Sequence, residues 1–298
     1  MKYAFPLAAA ALLALPSMAA AEISGAATVG LGRSTVDGES GEINEYSLDF
    51  DFNYAGTGNL SFGASGGFRR LDVDGGGELD STNLNVEALY GLSNGFDVGA
   101  YYGYSNFDLG GPSQDFNAYG LLFGYGAGAF EGELALGQVD VDGFTANEFS
   151  LFGRYNVSDQ TQILGEIGTV RDDGDGFNLF GVGVNHSIND QFGVFGAIRR
   201  GSAVGGGDFN TTELSIGMDY RLAALSSFGA LLSLELARVN LDAGGGGDAD
   251  INSVRLGLTM PLGGDGRKAL PLNSGASTLD GGMRSAYQRF LSSGLVFF

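Results

Sequence analysis

The chain has 298 residues, a formal net charge of −20 at pH 7, 53 glycines and no cysteine. Such an acidic balance excludes a typical nucleic-acid-binding protein, because phosphate backbones are bound by basic surfaces. The lack of cysteine excludes a disulfide framework, and an aromatic content of 11% argues against long disordered regions.

Residues 1–21 have the features of an export signal. Lys2 precedes an apolar run over residues 4–15, and alanines at positions 19–21 precede Glu22. A charged start, a short apolar run and small residues before the cleavage site make up a secretory signal peptide. The run is too short for a membrane-spanning helix, which needs about 20 apolar residues. We therefore expect cleavage before Glu22.

Residues 45–54 alternate between apolar and polar side chains. Tyr46, Leu48 and Phe50 occupy one face of a strand, while Asp49 and Asp51 occupy the other, because successive side chains of a strand point to opposite faces. The pattern recurs up to residue 262 in segments of about ten residues, the length that a tilted strand needs to cross a bilayer. Repeated alternation of this kind is typical of a transmembrane β-barrel.

The whole pattern predicts an all-β fold, an antiparallel up-and-down transmembrane barrel of fourteen strands over residues 22–262. The strands are expected at 23–35, 44–54, 59–71, 83–93, 96–108, 116–125, 129–140, 146–156, 160–171, 177–187, 191–201, 210–221, 227–241 and 250–262. If the last strand of the barrel lay at the chain terminus instead, the barrel would have sixteen strands. An even count places both ends of the barrel in the periplasm.

Connections and aromatic residues alternate along the chain in the way that such barrels require. Short turns such as Ser93-Asn94-Gly95 alternate with longer segments rich in Gly and Asp, such as residues 72–81. Short turns are expected at the periplasmic end and the longer loops at the outer end. Tyr54, Phe96 and other aromatics lie beside the short turns, and a second set lies near the loops. Two such bands are the aromatic girdles of a membrane barrel.

The face opposite the apolar positions should line the lumen. Its charged members are Asp49, Asp51, Arg69, Glu87, Asp97, Glu131, Glu133, Glu148, Arg154, Glu166, Arg199, Glu213, Asp219, Glu235 and Arg255. Carboxylates outnumber arginines in this set, so pairing between them leaves a net negative lumen. Rings of Asp or Glu favour cations.

Five arginines continue the lipid-facing register toward the outer loops, namely Arg33, Arg70, Arg171, Arg200 and Arg238. A charge near the interface costs only about 0–1 kcal/mol, and the guanidinium fork suits phosphate. We expect these arginines, here called the rim arginines, to contact lipopolysaccharide. Snorkelling or pairing with loop aspartates is the alternative.

The signal, the strand pattern, the aromatic girdles and the terminal Phe298 together make residues 22–262 similar to the Gram-negative outer-membrane porins. The resemblance implies a place in the outer membrane, contact with its lipid and lipopolysaccharide, and insertion by the barrel-assembly machinery through Phe298. It implies a monomer or a homotrimer. No outer connection is long enough for the constriction loop of trimeric porins, so the pattern is closer to fourteen-stranded monomeric channels.

Residues 263–298 form a tail with a different pattern. Met283, Ala286, Tyr287, Phe290 and Leu291 recur at helical spacing. The tail also carries basic residues, Arg267, Lys268, Arg284 and Arg289, against Asp265 and Asp280. Opposite charge favours docking inside the acidic barrel, so the tail is expected to be a lumen plug or a periplasmic extension. A loose tail that ends in an insertion signal is the alternative.

Catalysis is not expected. The sole histidine, His186, lies at the turn end of the tenth strand, and the Gly/Asp loops lack the glutamate that completes an EF-hand. No metal or cofactor is expected. The sequence therefore predicts passive diffusion of small hydrophilic solutes and ions through a water-filled, cation-preferring lumen. The alternative is a structural or adhesive barrel with a closed lumen. A transporter for lipids or aromatics would need an apolar lumen, which the acidic inner face disfavours.

Overall fold

The computed structural model describes residues 23–56, 58–108, 113–141, 143–205, 209–222, 229–244, 247–263, 270–280 and 282–292. The expected signal peptide and the terminal Phe298 lie outside these residues. No helix among the described residues is long and apolar enough to cross a membrane.

Fourteen antiparallel strands form one closed barrel, in which each strand pairs with its chain neighbours and β1 pairs with β14. The strands are β1 Ile23–Val36, β2 Glu42–Ala55, β3 Leu60–Val73, β4 Glu78–Gly91, β5 Phe96–Asp108, β6 Gln114–Ala127, β7 Phe130–Val141, β8 Phe144–Ser158, β9 Thr161–Asp172, β10 Asp175–Ser187, β11 Phe192–Val204, β12 Asn210–Arg221, β13 Leu231–Asp242 and β14 Asp248–Leu262. The predicted fold class and the count of fourteen are confirmed. The alternative of sixteen strands is wrong, because β14 closes the barrel directly on β1.

The turns at the end where β1 begins and β14 ends, the periplasmic end, are tight. Asn94 and Gly95 have φ of 67° and 79° in the turn between β4 and β5, a conformation that Asn and Gly tolerate best. Between β12 and β13, residues 223–228 lie outside the described residues. The predicted start of β13 at residue 227 falls among them, and the described strand begins at Leu231.

At the outer end the strands are longer than predicted and the loops are correspondingly shorter. β3 runs to Val73 and β4 starts at Glu78, so only residues 74–77 connect them instead of the expected 72–81. Leu71, Val73 and Leu79 pack inside the barrel. The alternation of inward and outward side chains therefore continues into residues that the Gly and Asp content had assigned to a loop.

Lipid-facing and lumen-facing positions differ sharply in exposure. Ile216 and Leu214 are 66% and 60% exposed on the outer face of β12, whereas Glu213 and Ser215, which alternate with them, are buried. This matches the predicted inside–outside alternation. Aromatics beside the periplasmic turns, such as Tyr90 and Phe96, are also exposed on the outer face.

After β14, beyond residue 263, the described part of the chain comprises residues 270–280 and 282–292, here called the C-terminal segment. It contains a 3₁₀ turn, Ser277–Asp280, and a short helix α1, Ala286–Ser292. Its side chains contact lumen-facing residues of the wall, so it lies inside the barrel.

Candidate functional site: the occupied lumen

The C-terminal segment first meets the wall at the seam where β1 pairs with β14. The Leu272 backbone N–H donates to Thr28 Oγ1 at 3.0 Å, and Asn273 Nδ2 donates to the Leu256 carbonyl at 3.1 Å. A Cβ at Gly30 or at Gly257 would lie within 2.7 Å of the Asn273 amide. Glycine at both positions therefore makes the notch that receives this side chain.

An arginine and carboxylate network covers the wall beside this part of the segment. Arg255 contacts Glu213 at 3.3 Å and Glu235 at 3.2 Å, while Arg199 contacts Glu166 at 3.0 Å. Glu235 also accepts the Gly275 N–H at 2.9 Å. Buried ions of this kind are tolerated only when they are paired and hydrogen-bonded. The network therefore links the segment to the wall, and it also links strands of the wall to one another.

Farther along, the segment binds the opposite wall through Arg284. Its guanidinium donates to Glu87 at 2.5 and 2.9 Å and lies 3.0 Å from Glu133. Burial acts to lower the pKa of Arg284, but Glu133 and Glu87 outweigh it and raise the pKa above its usual range. The side chain is therefore a permanent cation between two carboxylates. In a second ion pair the charges are exchanged, because Asp280 of the segment pairs with Arg154 of the wall.

Helix α1 and Ser285, the residue before it, place polar groups against the wall at mid-lumen. Ser285 donates to Glu148 at 2.7 Å, and Gln288 donates to Ser105 at 3.0 Å. Arg289 is fully buried, pairs with Glu166 and lies 3.8 Å from the ring centroid of Phe152. Burial lowers the pKa of Arg289 to about 10, against the opposing effect of Glu166. Arg289 is therefore still protonated at neutral pH.

The outer part of the lumen is apolar, which the sequence analysis missed. Phe107, Phe116 and Phe177 point inward with aliphatic residues of neighbouring strands. Helix α1 closes this region, with Phe290 stacked on Phe177 at 4.4 Å and Tyr287 lying 5.1 Å from Phe116. The signal was present in the sequence, because the lumen register at the outer strand ends carries Ile43, Leu71, Val139, Val239, Leu241 and Ile251.

The predicted lumen residues fall into groups inside the barrel. Those at mid-lumen are nearly inaccessible, with Arg199, Glu213, Glu166, Glu235 and Glu148 at most 5% exposed. Arg69 pairs with Glu45 at 2.9 Å, a partner that the sequence analysis did not list. Glu87, Glu133, Glu131, Arg154 and Arg255 contact the C-terminal segment or its partners. Asp49, Asp51, Asp97 and Asp219 lie on the same inner face, against the lumen glycines Gly67, Gly282, Gly91 and Gly193.

The rim arginines lie on the outer face and several have carboxylate neighbours. Arg33 pairs with Glu42, Arg70 with Asp80 at 2.7 Å, and Arg238 with Asp250 at 2.6 Å. Arg171 donates to Asn178 at 2.6 Å, and Arg200 is exposed. Pairing with nearby aspartates, part of the alternative that the sequence left open, therefore occurs at Arg70 and Arg238, whereas Arg33 pairs with a glutamate. Contact of the rim arginines with lipopolysaccharide stays a prediction.

His186 lies near the periplasmic end of β10, where its Nδ1 is 2.9 Å from Thr161 Oγ1. Within the described residues no group of three or more His, Cys, Asp or Glu side chains is arranged to hold a metal ion.

Comparison with known proteins agrees with the barrel. The model of the Gram-negative porin family matches residues 24–175, half of the chain. An anion-selective porin from Comamonas acidovorans is 13% identical, covers 82% of this chain and 99% of its own, and superposes with a TM-score of 0.51. A FadL homologue from Pseudomonas aeruginosa is 10% identical, with coverages of 80% and 90% and a TM-score of 0.52. At such identities the two structures show a common fold alone. No curated protein matches the chain.

Proposed function

The chain belongs to the Gram-negative porin family of the bacterial outer membrane, and we propose that it is a diffusion channel for small hydrophilic cations that its own C-terminal segment occludes. Solutes pass when the segment leaves its place in the lumen. No catalytic step is involved.

The observation that carries this proposal is the position of Arg284 and Arg289. Arg289 is fully buried and Arg284 is only 15% exposed, and each pairs with wall carboxylates inside the barrel, Glu87 and Glu133 for Arg284 and Glu166 for Arg289. Two cations held at the centre of the lumen fill the space that a permeating ion would use. The wall carboxylates that hold them are the groups that would otherwise face that ion.

Cation preference follows from the charge left after pairing. Asp49, Asp51, Asp97 and Asp219 line the periplasmic half of the lumen in addition to the paired glutamates, and carboxylates still outnumber arginines when those of the segment are included. A net negative lumen raises the local concentration of cations. The anion selectivity of the Comamonas porin does not transfer to this chain at 13% identity.

The apolar outer end of the lumen favours a second candidate, a structural barrel that is permanently closed. Hydrophobic constrictions exclude water and block ions, and Phe116, Phe177, Tyr287 and Phe290 pack together in this region. The two candidates differ in whether the wall remains closed without the segment.

Planar-bilayer conductance separates the two candidates. A variant that lacks residues 265–289 retains the terminal Phe298 and loses Arg284, Arg289 and most of the segment. A diffusion channel should then show large, stable current steps that the full chain lacks. Equal current from the full chain and the deletion variant would remove the occluding role, and no current from either, with a heat-modifiable folded barrel on gels, would establish the closed structural barrel.

Assembly remains part of the proposal. The barrel-assembly machinery would read Phe298 before the segment docks, because the segment precedes this residue and occupies the lumen of the finished barrel. A monomer or a homotrimer is compatible with a closed barrel that has a complete lumen of its own.

A further inference from the structure

One part of the lumen wall combines buried carboxylates with aromatic rings, and the C-terminal segment lies against it. We propose that the wall around Arg289 and Phe290 binds organic cations that carry an aromatic ring, with the segment as the built-in competitor. This inference rests on the proposed function, because it names the solute class that the same lumen would take.

The cation half of the site is made by strands β8 and β9. Glu166 pairs with Arg289, and Glu148 accepts the hydroxyl of Ser285 at 2.7 Å. The guanidinium carbon of Arg289 lies over the Phe152 ring, 3.8 Å from its centroid. All three wall side chains are at most 6% exposed. An aromatic face beside buried carboxylates is the arrangement that binds desolvated organic cations in proteins.

The aromatic half of the site adjoins it on β6 and β10. Phe177 stacks on Phe290 with ring centroids 4.4 Å apart and an interplanar angle of 19°, and Phe116 borders the neighbouring ring of Tyr287. The two halves are contiguous, because Val170 pairs with Glu148 on one side and with Phe177 on the other. A bound molecule would therefore place its charge on one half and its ring on the other.

Charge makes the site selective when the segment leaves. Glu166 keeps Arg199 at 3.0 Å after Arg289 is removed. Among the described residues Glu148 then meets neutral hydrogen-bond donors alone, the Tyr101 hydroxyl at 2.6 Å and, while the segment stays docked, the Ser285 hydroxyl at 2.7 Å and the Tyr287 N–H at 3.4 Å. A buried carboxylate without a cation is costly. A small inorganic cation would meet this charge but leave the aromatic rings uncovered, whereas a neutral aromatic would do the reverse. An aromatic cation satisfies both.

The test uses the full chain with Arg289→Ala and Phe290→Ala, which opens the site but keeps the rest of the segment. Ring-fluorinated phenethylguanidinium and phenylbutylguanidinium are titrated into the detergent-solubilised variant and followed by fluorine NMR. We expect saturable binding that is at least about tenfold tighter than to the unmodified chain, since the segment fills the site there. The controls n-butylguanidinium, phenethyl alcohol and hydrocinnamate should each bind at least about tenfold more weakly.

Wall substitutions in the same background locate the site. Phe152→Leu and Glu148→Gln should each weaken binding of the aromatic cation by about tenfold or more, whereas Phe62→Leu, on the lipid-facing surface, should not. Binding of the neutral alcohol or the carboxylate as tight as that of the cation would overturn the proposal, because it would reflect partition into the micelle. Equal binding to the unmodified chain would overturn it as well.

If the double variant does not fold, a second measurement tests the proposal in a chain that keeps Arg289 and Phe290. The chain has no cysteine, so Ser277→Cys in the otherwise unmodified protein reports release of the segment through its rate of maleimide labelling. The aromatic cations should accelerate labelling in a saturable manner, and an unchanged rate at all concentrations would refute the competition. A deletion variant that conducts but binds no probe overturns this inference alone, whereas a chain that binds the probe but never conducts overturns the proposed channel function alone.

Discussion

Loss of the Arg284 charge should release the C-terminal segment. In Arg284→Gln the amide cannot neutralise Glu87 and Glu133, which lie 2.5 and 3.0 Å from the guanidinium and whose side chains are only 10% and 16% exposed. Removing one partner of a buried ion pair costs about 3–5 kcal/mol, because the remaining charge stays buried without compensation. Part of that energy is recovered when the segment leaves and water reaches the carboxylates. The docking equilibrium should therefore shift toward release by up to about a thousandfold, at 1.4 kcal/mol for each factor of ten.

The assay is maleimide labelling of Ser277→Cys with and without Arg284→Gln, in folded protein verified by heat-modifiable gel mobility. Labelling should accelerate by at least about tenfold in the double variant, and single-channel recordings should show more frequent openings. Arg221→Gln is the matched control, because it removes an exposed arginine at the periplasmic end of β12 and exposed charges contribute little. If Arg284→Gln and Arg221→Gln label at the same rate, the ion pairs of Arg284 do not hold the segment.

Three further outcomes are expected. Ile216→Arg, at a 66% exposed position midway along the outer face of β12, should lower the free energy of unfolding by about 2–4 kcal/mol in urea titrations in lipid vesicles. Ile216→Leu should leave it nearly unchanged, and equal stability of the two variants would contradict the assigned lipid face. In the variant lacking residues 265–289, reversal potentials under a salt gradient should indicate cation preference. This preference should fall when Asp49 and Asp51 are replaced by Asn. Anion selectivity would refute the inference that the lumen carries a net negative charge. Replacement of all five rim arginines by Gln should reduce the lipopolysaccharide that co-purifies with the protein and leave conductance unchanged, and unaltered retention would show that carboxylate pairing is their whole role.

The order of strands could be predicted because each strand carries its own local signal. A tilted strand with one face toward lipid and the other toward the lumen must alternate, as residues 45–54 do, and tight turns with residues such as Asn94 and Gly95 mark where each strand ends. The predicted strand ends were wrong where the local signal was ambiguous. Leu71 and Val73 are followed by Gly and Asp, so the outer end of β3 resembled a loop until its burial inside the barrel was visible.

The site was only partly predictable, because side-chain contacts across a lumen join residues far apart in sequence. The inward charged positions followed from alternation, and the basic, helically spaced tail suggested docking. No pattern in the sequence connects Arg284 with Glu87, which are 197 positions apart, or places the Asn273 amide in the notch between Gly30 and Gly257.

The sequence by itself determined the membrane barrel and predicted an excess of carboxylates on its inner face, because alternation and composition are local properties that each strand carries alone. The choice of fourteen strands over sixteen came from the closure of β14 on β1. Only the tertiary structure decided what the lumen contains. Barrel closure brings fourteen inner faces around one volume, and the C-terminal segment finds its partners in that volume by shape and charge. Arg284 and Arg289 pair with carboxylates of β4, β7 and β9, and Tyr287 and Phe290 meet the aromatic outer end. These contacts exist only once the barrel has formed, since no shorter piece of the chain encloses the site.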